Sequence, residues 1–280
     1  MSFNFFTFGG NGDWGDIFFY QKWRIQRNIN AKDYRLLDPW DISRQEGSFE
    51  DCRKKFVNYI DAYQIARQRG TMIVMLHGFC ESKKVFRPLW REAISKGFLA
   101  AALNYPSTRD NIDSHVKQLD FFLNNLEDVS EISFVVKGSS CLILRKLFSL
   151  PSDWQKKLKI GRILFVNPAN SGNDFADWLT RFKIFRWFLG PMANDISAEN
   201  ALLIPKLPSN IEQGTIFCNS LFKRLLKKIT KPFEGVPINS DSSEKSYAVK
   251  SIIIATNKKN VFSDEKVLKK AMSFLEKGQF

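Results

Sequence analysis

Histidine and cysteine are both scarce in this sequence of 280 residues. The two histidines, His77 and His115, lie in the first half of the chain, so a mechanism that takes a histidine base from the C-terminal region has none to use. The cysteines are far apart and form no CxxC pair: Cys52, Cys80, Cys141 and Cys218. That spacing argues against a zinc site and a disulfide scaffold. It predicts reduced, mostly buried thiols, and no metal or other cofactor is expected.

Long apolar runs are also absent. No stretch approaches the roughly 18 consecutive apolar residues that indicate a membrane-spanning helix. The first ten residues have no basic leader, and polar residues and glycines interrupt their apolar side chains, so a signal peptide is not predicted. We therefore expect a cytoplasmic protein.

Acidic residues are outnumbered in this chain. It has 29 Asp and Glu against 42 Lys and Arg, which gives a net charge of +13 at pH 7. Such a basic surface suits nucleic acid, an anionic membrane or an acidic partner, and it is equally typical of a solvated, lysine-rich face. Because the chain has no recognisable nucleic-acid-binding motif, no nucleic-acid partner is expected.

The remaining composition is that of a soluble globular protein, with 44% hydrophobic and 25% charged residues. Residues 1–70 are predicted to form an N-terminal, β-rich extension packed on the core. Aromatic and β-branched residues favour strands there, and a serine before an amphipathic segment favours a helix start. The predicted elements are strands at 16–20 and 23–28, a turn at 30–33 leading into 34–37, and a helix over 48–67 capped by Ser48.

Residues 71–280 alternate between strand and helix patterns. Near-continuous apolar runs are what strands buried on both faces require. The alternation predicts an α/β fold with a mainly parallel central sheet and helices on both faces. The predicted strands are 72–76, 99–103, 132–136, 162–166, 215–218 and 249–255, and the predicted helices are 85–96, 112–126, 141–150 and 264–277.

An insertion at about 174–208 interrupts the alternation. Residues 178–189 are aromatic and basic, and helical segments of this kind either form a cap over a cleft or pack on the edge of a sheet. Both interpretations stay open. Of the two, the helical cap is the interpretation used in the fold prediction.

A second amphipathic segment lies at 220–231. It gathers Leu221, Phe222, Leu225, Leu226 and Ile229 on one helical face, with five basic residues mostly around the other. The pattern fits a helix that lies in the plane of an anionic membrane, and it equally fits a helix packed on the sheet with a basic, solvated face. Peripheral membrane contact is therefore one open hypothesis.

Several strings together resemble a known family. The segment 72–79 is similar to a central strand that leads into a His-Gly turn, and 135–142 stands where a nucleophile elbow is expected. With the segments 23–28, 35–39, 104–107 and 274–280, in this order and spacing, the chain resembles a bacterial branch of the α/β-hydrolase-fold lipases and esterases. The resemblance covers nearly the whole chain and implies the α/β-hydrolase fold.

The same resemblance implies a degenerate catalytic triad. Gly138 stands at the position of the nucleophilic serine, Lys258 at that of the histidine base, and Asp241 is the expected acid. A glycine has no nucleophile, and a lysine with an ordinary pKa near 10.4 is protonated at pH 7. Two of the three roles are missing.

Other residues could restore an active site or retain a binding site. Ser139 or Ser140 could be the nucleophile if the elbow were shifted, with a desolvated Lys258 as base. Cys141 is expected to be a buried apolar side chain. The oxyanion donors implied by the resemblance are the amides of Phe79 and Ser139, beside His77 and Gly78 in the turn. His77 is interpreted as a structural residue of that turn, and His115 as a surface or boundary residue.

Three functional hypotheses follow. The first is a catalytically inactive protein that binds an acyl-like or lipid-like small molecule or a partner. The second is an active serine ester hydrolase with a rearranged site at Ser139 or Ser140. The third is a structural role in which the cleft is filled. Fold alone does not decide between them.

Overall fold

Two β-sheets form in the part of the chain that the structure describes. This computed structural model covers residues 12–31, 33–169, 190–219 and 250–280. The first sheet is antiparallel and contains β1 (Trp14–Tyr20), β2 (Trp23–Asn28), β3 (Tyr34–Leu37) and β4 (Ser43–Gly47). The second contains β5 (Thr71–Leu76), β6 (Leu99–Leu103), β7 (Glu131–Lys137), β8 (Lys159–Val166), β9 (Glu212–Asn219) and β10 (Lys250–Ala255).

The N-terminal sheet has the simple order β1-β2-β3-β4, in which each strand pairs with the next. The strands predicted at 16–20 and 23–28 are confirmed, and 34–37 is a strand as well. The sequence did not predict β4. Its residues are polar and mostly exposed, so it lacks the alternation of apolar and polar side chains that marks a half-buried strand.

Helix α1 (Phe49–Tyr63) packs on this sheet through the fully buried Phe56. Ser48 is its N-cap, as predicted. The Ser48 side chain accepts a hydrogen bond from the Asp51 N–H, and the Asp51 carboxylate accepts one from the Ser48 N–H, which makes a capping box. The helix ends four residues earlier than predicted, because Gln64 adopts a left-handed conformation with φ of +47°.

The large sheet is parallel throughout, with the order β10-β9-β8-β7-β5-β6. This confirms the predicted parallel sheet. Each predicted strand is present, although β8 and β9 extend several residues beyond the predicted bounds. The order places β5 and β7 side by side at the centre, so that the segments following these two strands meet.

Helices cover both faces of the large sheet, as predicted. One face packs against α2 (Arg87–Ser95), the other against α3 (Ile112–Asn124) and α4 (Ser140–Phe148). The short helix α5 (Trp154–Lys157) places Trp154 in the same cluster as α3 and α4. A 3-10 turn (Lys83–Phe86) precedes α2. The α-helix predicted at 85–96 therefore begins two residues later than predicted, at Arg87.

The predicted insertion lies partly within the described residues. Helices α6 (Met192–Asp195) and α7 (Ala198–Leu203) are described. Met192, Ala201 and, in the turn between the helices, Ile196 are buried in the cluster of α3 and α4. Segments 174–189 and 220–231, together with Asp241, lie outside the described residues. In the described part of the chain, no helix has the length and apolarity to span a membrane.

The C-terminal helix α8 (Glu265–Lys277) shares the face of α2. Asp264 caps its start by accepting a hydrogen bond from the Lys266 N–H, and Gly278 ends it with φ of +71°. The N-terminal sheet meets the large sheet where the Asp16 N–H donates to the Asn104 carbonyl at 2.9 Å. The Asp16 carboxylate in turn accepts from the Asn104 N–H at 2.7 Å. This contact fixes β1 against the segment that follows β6.

Candidate functional site

The carboxyl ends of the parallel strands lie along one edge of the large sheet. Ligands of open α/β sheets bind at this edge, at the ends of the strands. The structure places most of the predicted site residues there, on two adjacent segments. His77, Gly78 and Phe79 follow β5, and Gly138 and Ser139 follow β7.

Gly138 occupies the turn between β7 and α4, as predicted for the elbow. Its φ of +59° lies in the left-handed region, which a glycine adopts at little cost. Backbone hydrogen bonds hold the turn: the Gly138 N–H donates to the Val166 carbonyl at 3.0 Å, and the Ala169 N–H donates to the Gly138 carbonyl at 3.2 Å. A nucleophile elbow presents its serine at this place. Here the position has no side chain.

Ser140 is held by the backbone around it. Its hydroxyl oxygen lies 2.9 Å from the carbonyl oxygens of Leu76 and Lys137, and it accepts a hydrogen bond from the Lys137 N–H at 2.9 Å. The side chain is fully buried. Ser140 therefore connects the end of β5 to the end of β7, and its hydroxyl is enclosed by backbone groups.

The Ser139 hydroxyl accepts a hydrogen bond from one of the two predicted oxyanion donors, the Phe79 amide. The Phe79 N–H donates a hydrogen bond to Ser139 Oγ at 3.1 Å. Ser139 is only 3% exposed. An oxyanion hole serves catalysis when its N–H groups point at the place where the reacting oxygen develops charge. In this protein, the chain's own hydroxyl already satisfies the Phe79 donor.

An ion pair crosses the same region. Glu81 accepts a hydrogen bond from the Gly78 N–H at 3.0 Å, and its other carboxylate oxygen pairs with Lys137 Nζ. The two side chains are 27% and 16% exposed, so the pair is largely shielded from water. It links the turn after β5 to the last residue of β7. Together with Ser139, Glu81 satisfies the amides of both Gly78 and Phe79.

His77 is a structural residue in this arrangement. Its Nδ1 lies 2.9 Å from the Gly78 carbonyl, which can only accept, so Nδ1 has the proton. The ring stacks on Tyr105 with centroids 4.1 Å apart, and the Tyr105 hydroxyl donates to the His77 carbonyl. Nε2 is buried and has no partner among the described residues. Burial lowers the pKa of His77 to about 4, so the ring is neutral at pH 7.

The interpretation of His115 as a surface or boundary residue is wrong. His115 is 3% exposed, and its ring packs against the Tyr105 ring with centroids 4.9 Å apart. The reason is that α3 lies between β1 and α4, so its inner face is covered. Burial lowers the pKa of His115 to about 4. The ring is neutral, and among the described residues no serine hydroxyl forms a hydrogen bond with it or with His77.

Lys258, which the resemblance places at the histidine position, follows β10 with its side chain exposed. Its backbone N–H donates to Thr256 Oγ1 at 3.2 Å. In the sheet, β8 and β9 separate β10 from β7. The desolvation that a lysine base requires is absent at this exposed position.

Neither thiol nor metal chemistry finds support in the described residues. Cys141 is fully buried beneath the elbow, and burial raises the pKa of its thiol to about 12, so the reactive thiolate does not form. No group of three or more His, Cys, Asp or Glu is arranged to hold a metal within residues 12–31, 33–169, 190–219 and 250–280. The cavity beside Tyr105 and His115 measures about 10 Å³, which is space for about one water molecule.

Solved structures with similar backbones include a hydrolase and two esterases. A hydrolase from Oleispira antarctica superposes with a TM-score of 0.46 and 11% identity over 75% of this chain and 92% of that one. An esterase from Exiguobacterium antarcticum has a TM-score of 0.43 and 11% identity over 74% of this chain and 92% of that one. A thermophilic esterase from Thermogutta terrifontis has a TM-score of 0.45 and 8% identity over 76% of this chain and 92% of that one. No protein-family profile and no curated protein sequence matches the chain.

Because each of these TM-scores is below 0.5, the fold is assigned from features of the chain itself. The six strands of the large sheet are all parallel, in the order β10-β9-β8-β7-β5-β6, and helices cover both faces of this sheet. The turn at Gly138 joins a central strand to a helix, beside the His-Gly turn that follows the neighbouring strand. The chain shares these features with the α/β-hydrolase fold.

Proposed function

We propose that this protein is catalytically inactive as an ester hydrolase and acts by binding an acyl-like ligand or a partner. The observation with the most weight is Gly138 in the left-handed turn of the elbow. Acyl transfer in this fold needs a nucleophile there, with a histidine base oriented by an acid. Glycine offers no nucleophile, and Lys258, at the position of the base, is exposed.

The backbone donors support the binding half of the proposal. The Phe79 N–H is partly buried and donates a hydrogen bond to Ser139 Oγ. A carbonyl or carboxylate oxygen could replace that hydroxyl after a rotation of one side chain, in the manner of an oxyanion hole. Such an exchange trades one hydrogen bond for another, so its net gain is small. The affinity for an acyl-like ligand must therefore come mainly from contacts with the rest of the ligand.

We expect wild-type protein to remain unlabelled by a fluorophosphonate probe. The probe needs an activated serine, and neither Ser139 nor Ser140 has a base within hydrogen-bond reach among the described residues. Labelling is followed by in-gel fluorescence and intact mass, with heat-denatured protein and the exposed-serine variant Ser95→Ala as controls. An adduct on folded protein that disappears in Ser139→Ala or Ser140→Ala would show an active ester hydrolase instead.

Gly138→Ser alone should not create an ester hydrolase. The new serine would lie at the elbow next to Gly78, but the two histidines of the chain are buried, and burial lowers the pKa of both to about 4, so neither is an effective base at pH 7. A side chain at φ of +59° also costs about 1 kcal/mol of stability. Fluorophosphonate labelling and urea denaturation measure the two effects. The double variant Gly138→Ser/Lys258→His tests the base position, and strong labelling of the single variant would contradict the proposal.

A further inference from the structure

Three cations meet two carboxylates where the N-terminal sheet faces the 3-10 turn before α2. Arg24 is 5% exposed, and its guanidinium pairs with both Asp16 and Asp41. Lys83 lies in the 3-10 turn with its Nζ 3.6 Å from Asp41. Arg35 is half-buried on the same sheet, where its guanidinium stacks 4.1 Å from the Trp14 ring. Glu46, the cross-strand partner of Arg35, adds a third carboxylate on the Arg35 side of the group.

The Asp16 carboxylate is already fully engaged. One oxygen accepts hydrogen bonds from Arg24 at 3.2 Å and from Gln26 at 2.7 Å. The other accepts from the Asn104 N–H at 2.7 Å. Asp16 is completely buried. It is thus a fixed part of the contact between the two sheets, and it leaves the Lys83 ammonium without a hydrogen bond from this side.

Asp41 is a weaker counter-ion. It lies in the turn between β3 and β4 with φ of +67°, and its side chain is 57% exposed. Its distance of 3.6 Å from Lys83 Nζ is beyond hydrogen-bond range. Across the described residues, no acceptor forms a hydrogen bond with that ammonium. Burial, opposed by Asp16 and assisted by the nearby Arg24, lowers the pKa of Lys83 to about 8.

We propose that Arg24 and Lys83 bind the phosphate group of a ligand, which takes the place of the Asp41 carboxylate between them. Without Asp41, the three cations face Asp16 and Glu46 and have one uncompensated positive charge. A phosphate group at pH 7 has a charge of about −1.5 to −2, and it supplies the negative charge that Asp41 provided. Its oxygens also suit the planar donors of a guanidinium and the point charge of an ammonium.

The site lies at the same edge of the large sheet as the elbow. Lys83 follows the turn after β5, and Asp16 contacts the segment after β6. Arg24 comes from the N-terminal sheet, so the site exists only where the two sheets meet. The proposal depends on this contact and is independent of whether the protein hydrolyses esters.

The test is binding of inorganic phosphate to the full chain at constant ionic strength, measured by calorimetry and by thermal unfolding. We expect phosphate to raise the unfolding temperature of wild type, and affinity to increase severalfold in Asp41→Asn, which removes the competing carboxylate. Lys83→Met should weaken binding about tenfold or more, whereas the adjacent and exposed Lys84→Met should retain it. Lys83→Arg keeps the charge and provides a second variant if Lys83→Met does not fold.

A second arm distinguishes the source of the phosphate. Vesicles of phosphatidylcholine with or without phosphatidic acid are sedimented with the same variants. Binding of free phosphate with loss in Lys83→Met supports a soluble phosphate ligand, and binding only to phosphatidic acid vesicles with the same loss supports a lipid headgroup. Equal binding by Lys83→Met and Lys84→Met in both arms would overturn the site, as would absence of binding by Asp41→Asn in both.

Discussion

Lowering the pH from 7 to 5 should reduce the free energy of unfolding by about 4 kcal/mol through two histidines alone. Burial lowers the pKa of both His77 and His115 to about 4. In the unfolded chain each has its ordinary pKa of about 6.5. Between these values the unfolded state binds protons that the folded state does not, so stability falls as the pH falls through this window. Each histidine contributes about 2 kcal/mol of the loss by pH 5.

The measurement is urea denaturation at several pH values between 7 and 4. The variant His115→Gln should retain about half of the pH dependence, since the His77 term remains. The contribution of the histidines levels off below pH 4, where the folded state also takes up the protons. Carboxylates with lowered pKa values, such as Asp38, act in a lower window, which begins below their ordinary pKa. An unfolding free energy that stays constant from pH 6.5 to 5 would contradict the burial of the two rings.

Asp16→Ala should destabilise the protein by about 3 to 5 kcal/mol. The change leaves the Arg24 guanidinium buried next to a weaker, exposed partner, and it removes the acceptor of Gln26 and the Asn104 N–H. Breaking a buried pair on one side costs this much because the remaining charge stays desolvated. The N-terminal sheet would also lose its contact with the segment after β6.

The matched control for this change is Asp41→Ala. It removes the other carboxylate that pairs with Arg24, yet its side chain is 57% exposed, so its loss should cost only about 0 to 1 kcal/mol. Urea denaturation at pH 7 gives both free energies. Equal and small effects of the two variants would mean that the Asp16 pair contributes little to the contact between the sheets.

Much of the secondary structure could be predicted because its signals are local. The apolar runs of β5 and β7 and the serine before α1 depend only on neighbouring residues. Strand β4 escaped prediction because its polar sequence forms a strand only by pairing with β3. The order of the strands in the large sheet depends on contacts between distant residues, which no local pattern contains.

The candidate site could be predicted only in part, for the same reason. The strand and helix patterns on either side placed Gly138 at the elbow. The contacts of Ser139 with Phe79 and of Glu81 with Lys137 depend on how two separate turns pack, and no spacing indicates them. A signal for His115 was present, since it shares a helical face with Ile112 and Leu119 and both neighbours are buried.

Two hypotheses from the sequence remain predictions. Peripheral contact with an anionic membrane through 220–231 concerns a segment outside the described residues, and residues 174–189 of the cap predicted at about 174–208 also lie outside them. Vesicle sedimentation at low and high salt tests the first, because attraction between basic residues and anionic lipids weakens as salt increases.

Gly138 also bears on how activity and stability trade against each other. Enzymes tolerate strained residues at their active sites because the strain serves the reaction, and it lowers stability. At φ of +59° a serine would bear that strain, whereas glycine relieves it, and the backbone bonds to Val166 and Ala169 hold the turn without any side chain. Under the proposed function hydrolysis brings no advantage, and a glycine at this position makes the fold more stable than a serine would. An elbow of this shape is thus compatible with selection for stability alone, and its presence is no argument for catalysis.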